Sequence, residues 1–123
     1  MAKRVLSVDD EVDVQLILKT ALQSEGFEVE TAGNGPDALA IAKENPPDLV
    51  LLDVMMPGMS GFEVLRELKA DDATSTIPVI MLTGVSERSK IQEALSSGTE
   101  FYIIKPFDFD VLMNKVNEAL DSL

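Results

Sequence analysis

Residues 49–53 read Leu49-Val50-Leu51-Leu52-Asp53, a short apolar run that ends on a carboxylate. An unbroken apolar run of this length is typical of a strand covered on both faces of a parallel sheet. In an open α/β sheet, ligands bind at the carboxyl ends of the strands, so side chains that follow such runs are expected to lie together. Three further runs end on residues able to contact a metal ion or a phosphoryl group: Val5 to Val8 before Asp9 and Asp10, Val79 to Leu82 before Thr83, and Tyr102 to Ile104 before Lys105.

Strand-like and helix-like segments alternate along the whole chain. Strands are predicted at residues 3–8, 27–31, 48–53, 79–82 and 100–104. Helices are predicted before Gly26, before Pro46, after Ser60, between Ser86 and Gly98, and at the end, with a buried stripe of Val111, Leu112, Val116, Ala119 and Leu120. Five strands alternating with five helices predict a doubly wound α/β sandwich with a parallel sheet, in a single domain.

Composition narrows the classes of function. The 123 residues contain no cysteine and no histidine, which excludes disulfides, thiolate or imidazole metal sites and a histidine general base. The formal charge of −12 repels nucleic acid and anionic lipid over most of the surface, so no direct nucleic-acid partner is expected. No apolar run approaches the length of a membrane span and no signal peptide precedes the first strand, so a cytoplasmic location is expected.

The residue types at the predicted sheet edge suit phosphoryl transfer. Mg²⁺ prefers oxygen ligands and takes one or two carboxylates with phosphate oxygens, which Asp9, Asp10 and Asp53 could supply. Asp53 could then act as a nucleophile, as in enzymes that form an aspartyl phosphate. Lys105 offers a positive charge, and Thr83 offers a hydroxyl donor to phosphoryl oxygens.

Each of these side chains also has a structural interpretation when taken alone. Aspartate is a preferred N-cap, so Asp9 and Asp10 would serve to begin the first helix. Asp53 would be a solvated turn residue, and Thr83 and Lys105 would lie in ordinary turns. The same kind of chemistry at four of five strand ends favours the shared site.

Four ordered blocks carry these residues: Val8-Asp9-Asp10-Glu11, Leu52-Asp53-Val54-Met55-Met56-Pro57-Gly58-Met59-Ser60-Gly61, Leu82-Thr83-Gly84 and Lys105-Pro106-Phe107. Together they resemble the receiver domain of bacterial two-component response regulators, and most closely the chemotaxis-regulator type. The resemblance covers the whole chain. It implies a flavodoxin-like (βα)5 three-layer sandwich with sheet order 2-1-3-4-5, one receiver domain over residues 1–123, and a cis bond between Lys105 and Pro106.

The resemblance also assigns roles in signalling. It implies that Asp53 accepts a phosphoryl group from a sensor histidine kinase or a histidine phosphotransfer protein, and that Lys105 and Thr83 contact that group. Thr83 and Tyr102 are expected to form the conformational switch that controls an output partner. Such a domain is a phosphoacceptor and not an enzyme, apart from its own phosphorylation and dephosphorylation.

The metal site is likewise implied by the resemblance. Asp10, Asp53 and the backbone carbonyl of Met55 are expected to ligate Mg²⁺ directly, while Asp9 helps through water; Mn²⁺ is an expected substitute. Two positions depart from the commonest receiver pattern, since Met55 and Val85 are apolar where several receivers carry groups that orient the hydrolytic water. Slow self-dephosphorylation is therefore the hypothesis for this chain.

The expected output surface is the face formed by the fourth helix, the fifth strand and the fifth helix, including Phe101 and Tyr102. The alternative for Phe101 is burial under Ala94 or the last helix. The chain is expected to be a monomer or a phosphorylation-dependent dimer.

Two other classes of function remain open at this stage. A small haloacid-type Mg²⁺-dependent phosphatase also uses an aspartyl nucleophile. Such phosphatases have an Asp-x-Asp pattern after the first strand and need a cap or a larger core. In this chain the two acids after the first strand are adjacent, and the chain is short. The other alternative is a constitutive adaptor that is never phosphorylated, and the intact set of acids argues against it. A flavodoxin is disfavoured because the acids after the first strand would repel the flavin phosphate.

Overall fold

The fold is seen in a computed structural model that describes residues 2–84 and 101–121. Five strands lie within these residues: β1 Arg4–Val8, β2 Glu28–Ala32, β3 Leu49–Asp53, β4 Val79–Gly84 and β5 Phe101–Lys105. Four helices accompany them: α1 Val12–Ser24, α2 Gly35–Glu44, α3 Gly61–Ala70 and a C-terminal helix, Phe109–Asp121. None of these four described helices has the length and apolar character needed to cross a membrane.

The strands form one parallel sheet in the order β2-β1-β3-β4-β5. This order and the doubly wound architecture confirm the predicted fold class. The helix predicted between Ser86 and Gly98 lies outside the described residues.

Two apolar clusters lie on opposite faces of the sheet. One cluster joins the sheet to α2 and α3 through residues such as Leu39, Leu65 and Met81. The other joins it to α1 and the C-terminal helix through residues such as Leu18 and Val116. Every residue of β3 is buried, as its unbroken apolar sequence predicts for a central strand with helices on both sides. The chain therefore has the three layers expected of this fold.

Local sequence signals set the ends of several elements. Gly26 follows α1 with φ of +90°, a conformation that a residue without Cβ adopts at little cost. Asn34 and Ser60 precede α2 and α3, and each side chain accepts a hydrogen bond from a backbone N–H in the first turn, from Asp37 and Glu63 respectively. The predicted cap at Ser60 is confirmed, and it fixes where α3 begins after β3.

The fourth strand is longer than predicted. The sequence predicts that it ends at Leu82, but β4 continues through Thr83 to Gly84 and pairs these residues with Ile104 and Lys105 of β5. Threonine is β-branched and suits a strand, and the pairing with β5 supplies hydrogen bonds that residues 79–84 alone do not reveal. Thr83 is therefore held within the sheet.

The buried stripe predicted for the last helix is wrong at Val111, and α1 also exposes an apolar residue beside its buried face. Val111 is 45% exposed, whereas the buried residues of the C-terminal helix are Leu112, Val116 and Ala119. Ile17 of α1 is 65% exposed although the adjacent Leu18 is buried. Neighbouring residues on a helix point about 100° apart, so an apolar residue beside the stripe faces solvent when the stripe is narrow.

Candidate functional site

The three predicted acids and the predicted lysine meet at the carboxyl edge of the sheet. Asp9 follows β1, and Asp53 and Lys105 are the last residues of β3 and β5. The sheet register pairs Val8 with Leu52, one residue before the acids on both strands. Because all the strands are parallel, these side chains lie together at the carboxyl edge of the sheet.

Three carboxylates form an acidic cluster at this edge, namely Asp9, Asp10 and Asp53. One oxygen atom from each lies within 4.8 Å of the others. Asp9 is fully buried and Asp53 is only 5% exposed, whereas Asp10 is exposed. Two of the acids therefore belong to the interior of the fold, and the third opens the cluster to solvent.

Lys105 bridges the two buried acids. Its Nζ lies 3.2 Å from Oδ1 of Asp53 and 3.3 Å from Oδ2 of Asp9, within hydrogen-bond and ion-pair distance of both. The Lys105–Pro106 peptide bond that follows is cis, as predicted. The ammonium thus lies where it can stabilise negative charge on Asp53 or on a group bonded to it.

Asp9 is held by both of its carboxylate oxygens. Oδ1 accepts a hydrogen bond of 2.9 Å from the backbone N–H of Glu11, and Oδ2 contacts Lys105. Helix α1 begins later, at Val12, and its N-cap residue Glu11 makes no side-chain capping bond. Asp9 is therefore not the N-cap of α1. Its side chain instead orders the loop before the helix and directs its negative charge toward Lys105.

Burial raises the pKa of Asp53 from 3.8 to about 6. The ammonium of Lys105 opposes this rise, the carboxylate of Asp9 adds to it, and a hydrogen bond donated by the backbone N–H of Met55 opposes it. For Lys105, burial lowers the pKa, but the carboxylates of Asp53 and Asp9 outweigh burial and leave that pKa above its ordinary value. At neutral pH, Asp53 is therefore mostly ionised and unusually basic for a carboxylate, beside a firmly charged lysine.

The raised pKa of Asp53 predicts that the stability of the metal-free protein depends on pH. Because the pKa of Asp53 is higher in the folded chain, the folded state binds more protons than the unfolded state between about pH 4 and pH 6, so the free energy of unfolding falls as pH rises through that window. Asp53→Asn removes the titrating charge and leaves Asp9 to pair with Lys105. In EDTA the variant is expected to be more stable than the native chain by about 1–2 kcal/mol at pH 7, allowing for solvent screening.

Urea unfolding at pH 4 and pH 7 measures this effect. The difference between the two proteins should be much smaller at pH 4, which lies below the pKa of Asp53 in the folded chain and close to its value of 3.8 in the unfolded chain, so that most of the charge that burial penalises is already neutralised. An equal difference at both pH values would contradict the assigned electrostatics.

The donor set fits a hard divalent cation. Three carboxylates and the one ammonium that bridges two of them give the cluster a formal charge of −2, and the ligand atoms that the acids offer are all oxygen. Mg²⁺ and Mn²⁺ accept carboxylate oxygens together with water, and the exposed Asp10 gives a cation access from solvent. The residues therefore fit the cation that the sequence predicts.

Thr83 and Tyr102 lie on the neighbouring strands β4 and β5. Thr83 is buried, and its hydroxyl donates to the carbonyl oxygen of Gly84 at 3.4 Å. Tyr102 pairs in register with Met81 and is partly buried against the cluster that includes α2 and α3. Their predicted role as a switch remains a prediction. Phe101 is partly buried against the cluster that includes the C-terminal helix, in line with the burial alternative.

Two contacts of the site are missed by reasoning from side-chain types. Met55, whose side chain is 57% exposed, contributes its backbone N–H to the Asp53 carboxylate, while the predicted metal contact through its carbonyl remains a prediction. Gln15 of α1 donates from Nε2 to the carbonyl oxygen of Asp9. Backbone donors carry no sequence signature, and a glutamine three residues into a helix resembles any solvated residue.

Comparison with known proteins places this geometry in context. The family described as "Response regulator receiver domain" matches residues 5–117. The response regulator PleD of Caulobacter vibrioides is 46% identical over 117 residues, which are 94% of this chain and 26% of PleD. The DNA-binding response regulator MtrA of Mycobacterium tuberculosis is 41% identical over 120 residues, which are 98% of this chain and 51% of MtrA.

Among solved structures, the chemotaxis response regulator CheY4 of Vibrio cholerae has a TM-score of 0.91 and 33% identity, covering 97% of this chain and 99% of CheY4. The chain thus spans about a quarter of PleD and about half of MtrA, but it matches almost the full length of the CheY4 structure. Because MtrA is named a DNA-binding regulator, the expectation of no nucleic-acid partner receives no support from these relatives.

Proposed function

The chain belongs to the family of response regulator receiver domains, the signalling domains of two-component systems, and we propose that Asp53 accepts a phosphoryl group from a histidine kinase or a histidine phosphotransfer protein. One observation carries the proposal. The nearly buried Asp53 carboxylate lies 3.2 Å from the Lys105 ammonium and next to two further acids, at the carboxyl edge of a parallel sheet.

The proposed step is a displacement at phosphorus. A carboxylate oxygen of Asp53 forms a bond to the phosphorus atom while the bond from phosphorus to the donor's imidazole nitrogen breaks, and the freed imidazole leaves with the bonding pair. The product is an acyl phosphate on Asp53. The raised pKa favours this step, because a more basic carboxylate is a better nucleophile yet is still mostly ionised at neutral pH.

Lys105 is the proposed contact for the transferred phosphoryl oxygens. Its Nζ already touches Asp53 Oδ1, so it needs little movement to follow charge from the carboxylate to the phosphoryl group. Asp9 keeps the lysine charged and aimed, since Nζ also contacts Asp9 Oδ2. Thr83 is the proposed second contact, and its movement with Tyr102 would transmit the phosphorylated state.

The acidic cluster is the proposed site for Mg²⁺ or Mn²⁺. Asp10 and Asp53, with the backbone carbonyl of Met55, would hold the cation directly, and Asp9 would act through water. When bound, the cation supplies positive charge that offsets the repulsion between the acids and an incoming phosphoryl group.

Further parts of the proposal concern the whole protein. We propose one receiver domain over residues 1–123 that acts as a phosphoacceptor, catalyses only its own phosphorylation and dephosphorylation, and works in the cytoplasm. The output protein or domain is proposed to contact the face that includes Phe101 and Tyr102. The oligomeric state is proposed to be a monomer or a phosphorylation-dependent dimer.

A labelling experiment tests the proposed function. The protein is incubated with Mg²⁺ and acetyl phosphate, a small acyl phosphate donor, and the adduct is located by mass spectrometry. We expect one phosphoryl group per chain on Asp53, and a loss of labelling of about 10-fold or more with EDTA, because the cluster then keeps its full repulsion. Labelling elsewhere would contradict the proposal, and sustained hydrolysis of phosphate esters would favour the haloacid-type phosphatase.

A second prediction concerns the lifetime of the acyl phosphate. The exposed Met55 side chain cannot orient a water molecule for attack, so hydrolysis is expected to be slow. Met55→Asn, alone or with Val85→Glu, introduces polar groups two residues after Asp53 and two residues after Thr83 in the sequence, and is expected to shorten the half-life by about 3- to 10-fold. Release of phosphate from the labelled protein measures this. Met55→Leu is the matched control and should keep the native half-life; equal half-lives for all variants would contradict the hypothesis.

A further inference from the structure

The side chain of Gln15 ties α1 to the ends of two strands beside the acidic cluster. Its Nε2 donates to the carbonyl oxygens of Asp9, at 2.5 Å, and Ala32, at 3.4 Å. The backbone N–H of Asp9 donates to the same Ala32 oxygen at 3.1 Å. The end of β1, the end of β2 and the second turn of α1 thus meet at one amide group.

The bond to Asp9 fixes the peptide group that joins the two acids of the first block. The carbonyl of that peptide belongs to Asp9, and the peptide leads directly to the Cα of Asp10. Asp9 is already held through its N–H and both carboxylate oxygens. Across residues 2–84 and 101–121, by contrast, no hydrogen bond holds the exposed Asp10 carboxylate. The direction of the Asp10 side chain therefore depends on the orientation of the Asp9–Asp10 peptide, to which Gln15 is hydrogen-bonded.

We propose that Gln15 is a positioning residue for the divalent cation, and that its amide holds the Asp9–Asp10 peptide so that the Asp10 carboxylate stays beside Asp53. The inference rests on the proposed function, since it concerns the same metal site. Gln15 touches neither the cation nor the phosphoryl group. Partners that orient metal ligands from behind commonly change metal affinity by about 10- to 100-fold when removed, and a carbonyl contact one peptide away should lie at the lower end.

Substitutions at Gln15 separate positioning from simple charge. Gln15→Met keeps the length and loses the donor, and is expected to weaken Mg²⁺ binding by about 5- to 10-fold. Gln15→Glu keeps the shape but turns an acceptor toward two carbonyl oxygens, so it should weaken binding as well, although its added negative charge alone would strengthen it. Gln15→Lys retains N–H donors and should stay within about twofold of the native affinity, although its positive charge alone would weaken binding.

Isothermal titration calorimetry with Mg²⁺ measures these affinities on the folded protein, without any phosphodonor. Ala21→Gly, a mild change elsewhere on α1, is the control for a general loosening of the helix. Native affinity in Gln15→Met, an order of affinities that follows charge, or an equal loss in Ala21→Gly would overturn the inference. Asp10→Asn identifies which proposal fails: if it weakens binding while Gln15→Met does not, only the role of Gln15 is wrong, whereas a native chain that binds no Mg²⁺ overturns both.

Discussion

Asp53→Asn is expected to lower phosphoryl labelling by about 100-fold or more, the largest effect of any single substitution in this chain. The amide oxygen of asparagine can still accept the hydrogen bond that Lys105 donates to Asp53 at 3.2 Å, so the site keeps its shape. The amide, however, has no negative charge and is a poor nucleophile toward phosphorus. Mass spectrometry of the intact protein after incubation with Mg²⁺ and acetyl phosphate measures the loss.

The control for this prediction is Asp72→Asn. Asp72 is exposed and lies after α3, away from the sheet edge that carries the cluster, so its substitution removes one acid without touching the site. It should label at the native rate. Because Asp53→Asn is also expected to be the more stable protein at pH 7 in EDTA, unfolding cannot account for its loss of labelling. Native labelling of the Asp53→Asn variant would mean that another residue is the acceptor.

The parts of the site that follow from the sequence are those that depend on strand direction alone. An apolar run that ends on Asp53 and another that ends on Lys105 place both side chains at one edge as soon as the sheet is parallel. The strand order follows from the family resemblance, and the sheet has the same order. Strand direction and strand order together are enough to bring the acids and the lysine to one edge of the sheet.

Other features depend on contacts that no local pattern encodes. The extension of β4 to Gly84 comes from pairing with β5, a segment 17 residues later in the chain. The exposure of Val111 depends on the width of the apolar stripe of its helix and on what covers it. The hydrogen bond from Gln15 to the carbonyl oxygen of Asp9 joins a helix to a loop, and a glutamine in a sequence does not indicate which group its amide will contact. Sequence periodicity reports which faces are apolar, whereas these features depend on the spacing between elements.

The chain passes very close to the end of β3 where it enters α3. Gly61, the first residue of α3, has its Cα so close to the end of β3 that a Cβ would lie 2.3 Å from the backbone oxygen of Asp53 and 2.9 Å from Cα of Val54. Its N–H donates to the carbonyl oxygen of Val54 at 3.0 Å, so the helix is bonded to the strand end it faces. The obstacle is backbone on a buried strand, which cannot turn aside as a side chain can.

Gly61→Ala is therefore expected to destabilise the fold by about 3 kcal/mol, the upper end of overpacking costs. At this chain length that corresponds to a fall of roughly 10 °C in melting temperature. The effect reaches function, because the atom that must move is the carbonyl oxygen of the proposed acceptor: labelling measured well below the melting temperature should also slow. Thermal unfolding and the labelling rate are the two measurements.

Two other glycines provide a graded control for the clash. A Cβ at Gly33 would make an ordinary contact of 3.6 Å, so Gly33→Ala should be close to neutral in stability. A Cβ at Gly35 would lie 2.7 Å from Sδ of Met59, a flexible side chain, so Gly35→Ala should have an intermediate cost. Since alanine is the better helix former, propensity opposes the losses at Gly35 and Gly61. If the three variants were equally stable, close approach to the Asp53 backbone would not be what requires glycine at residue 61.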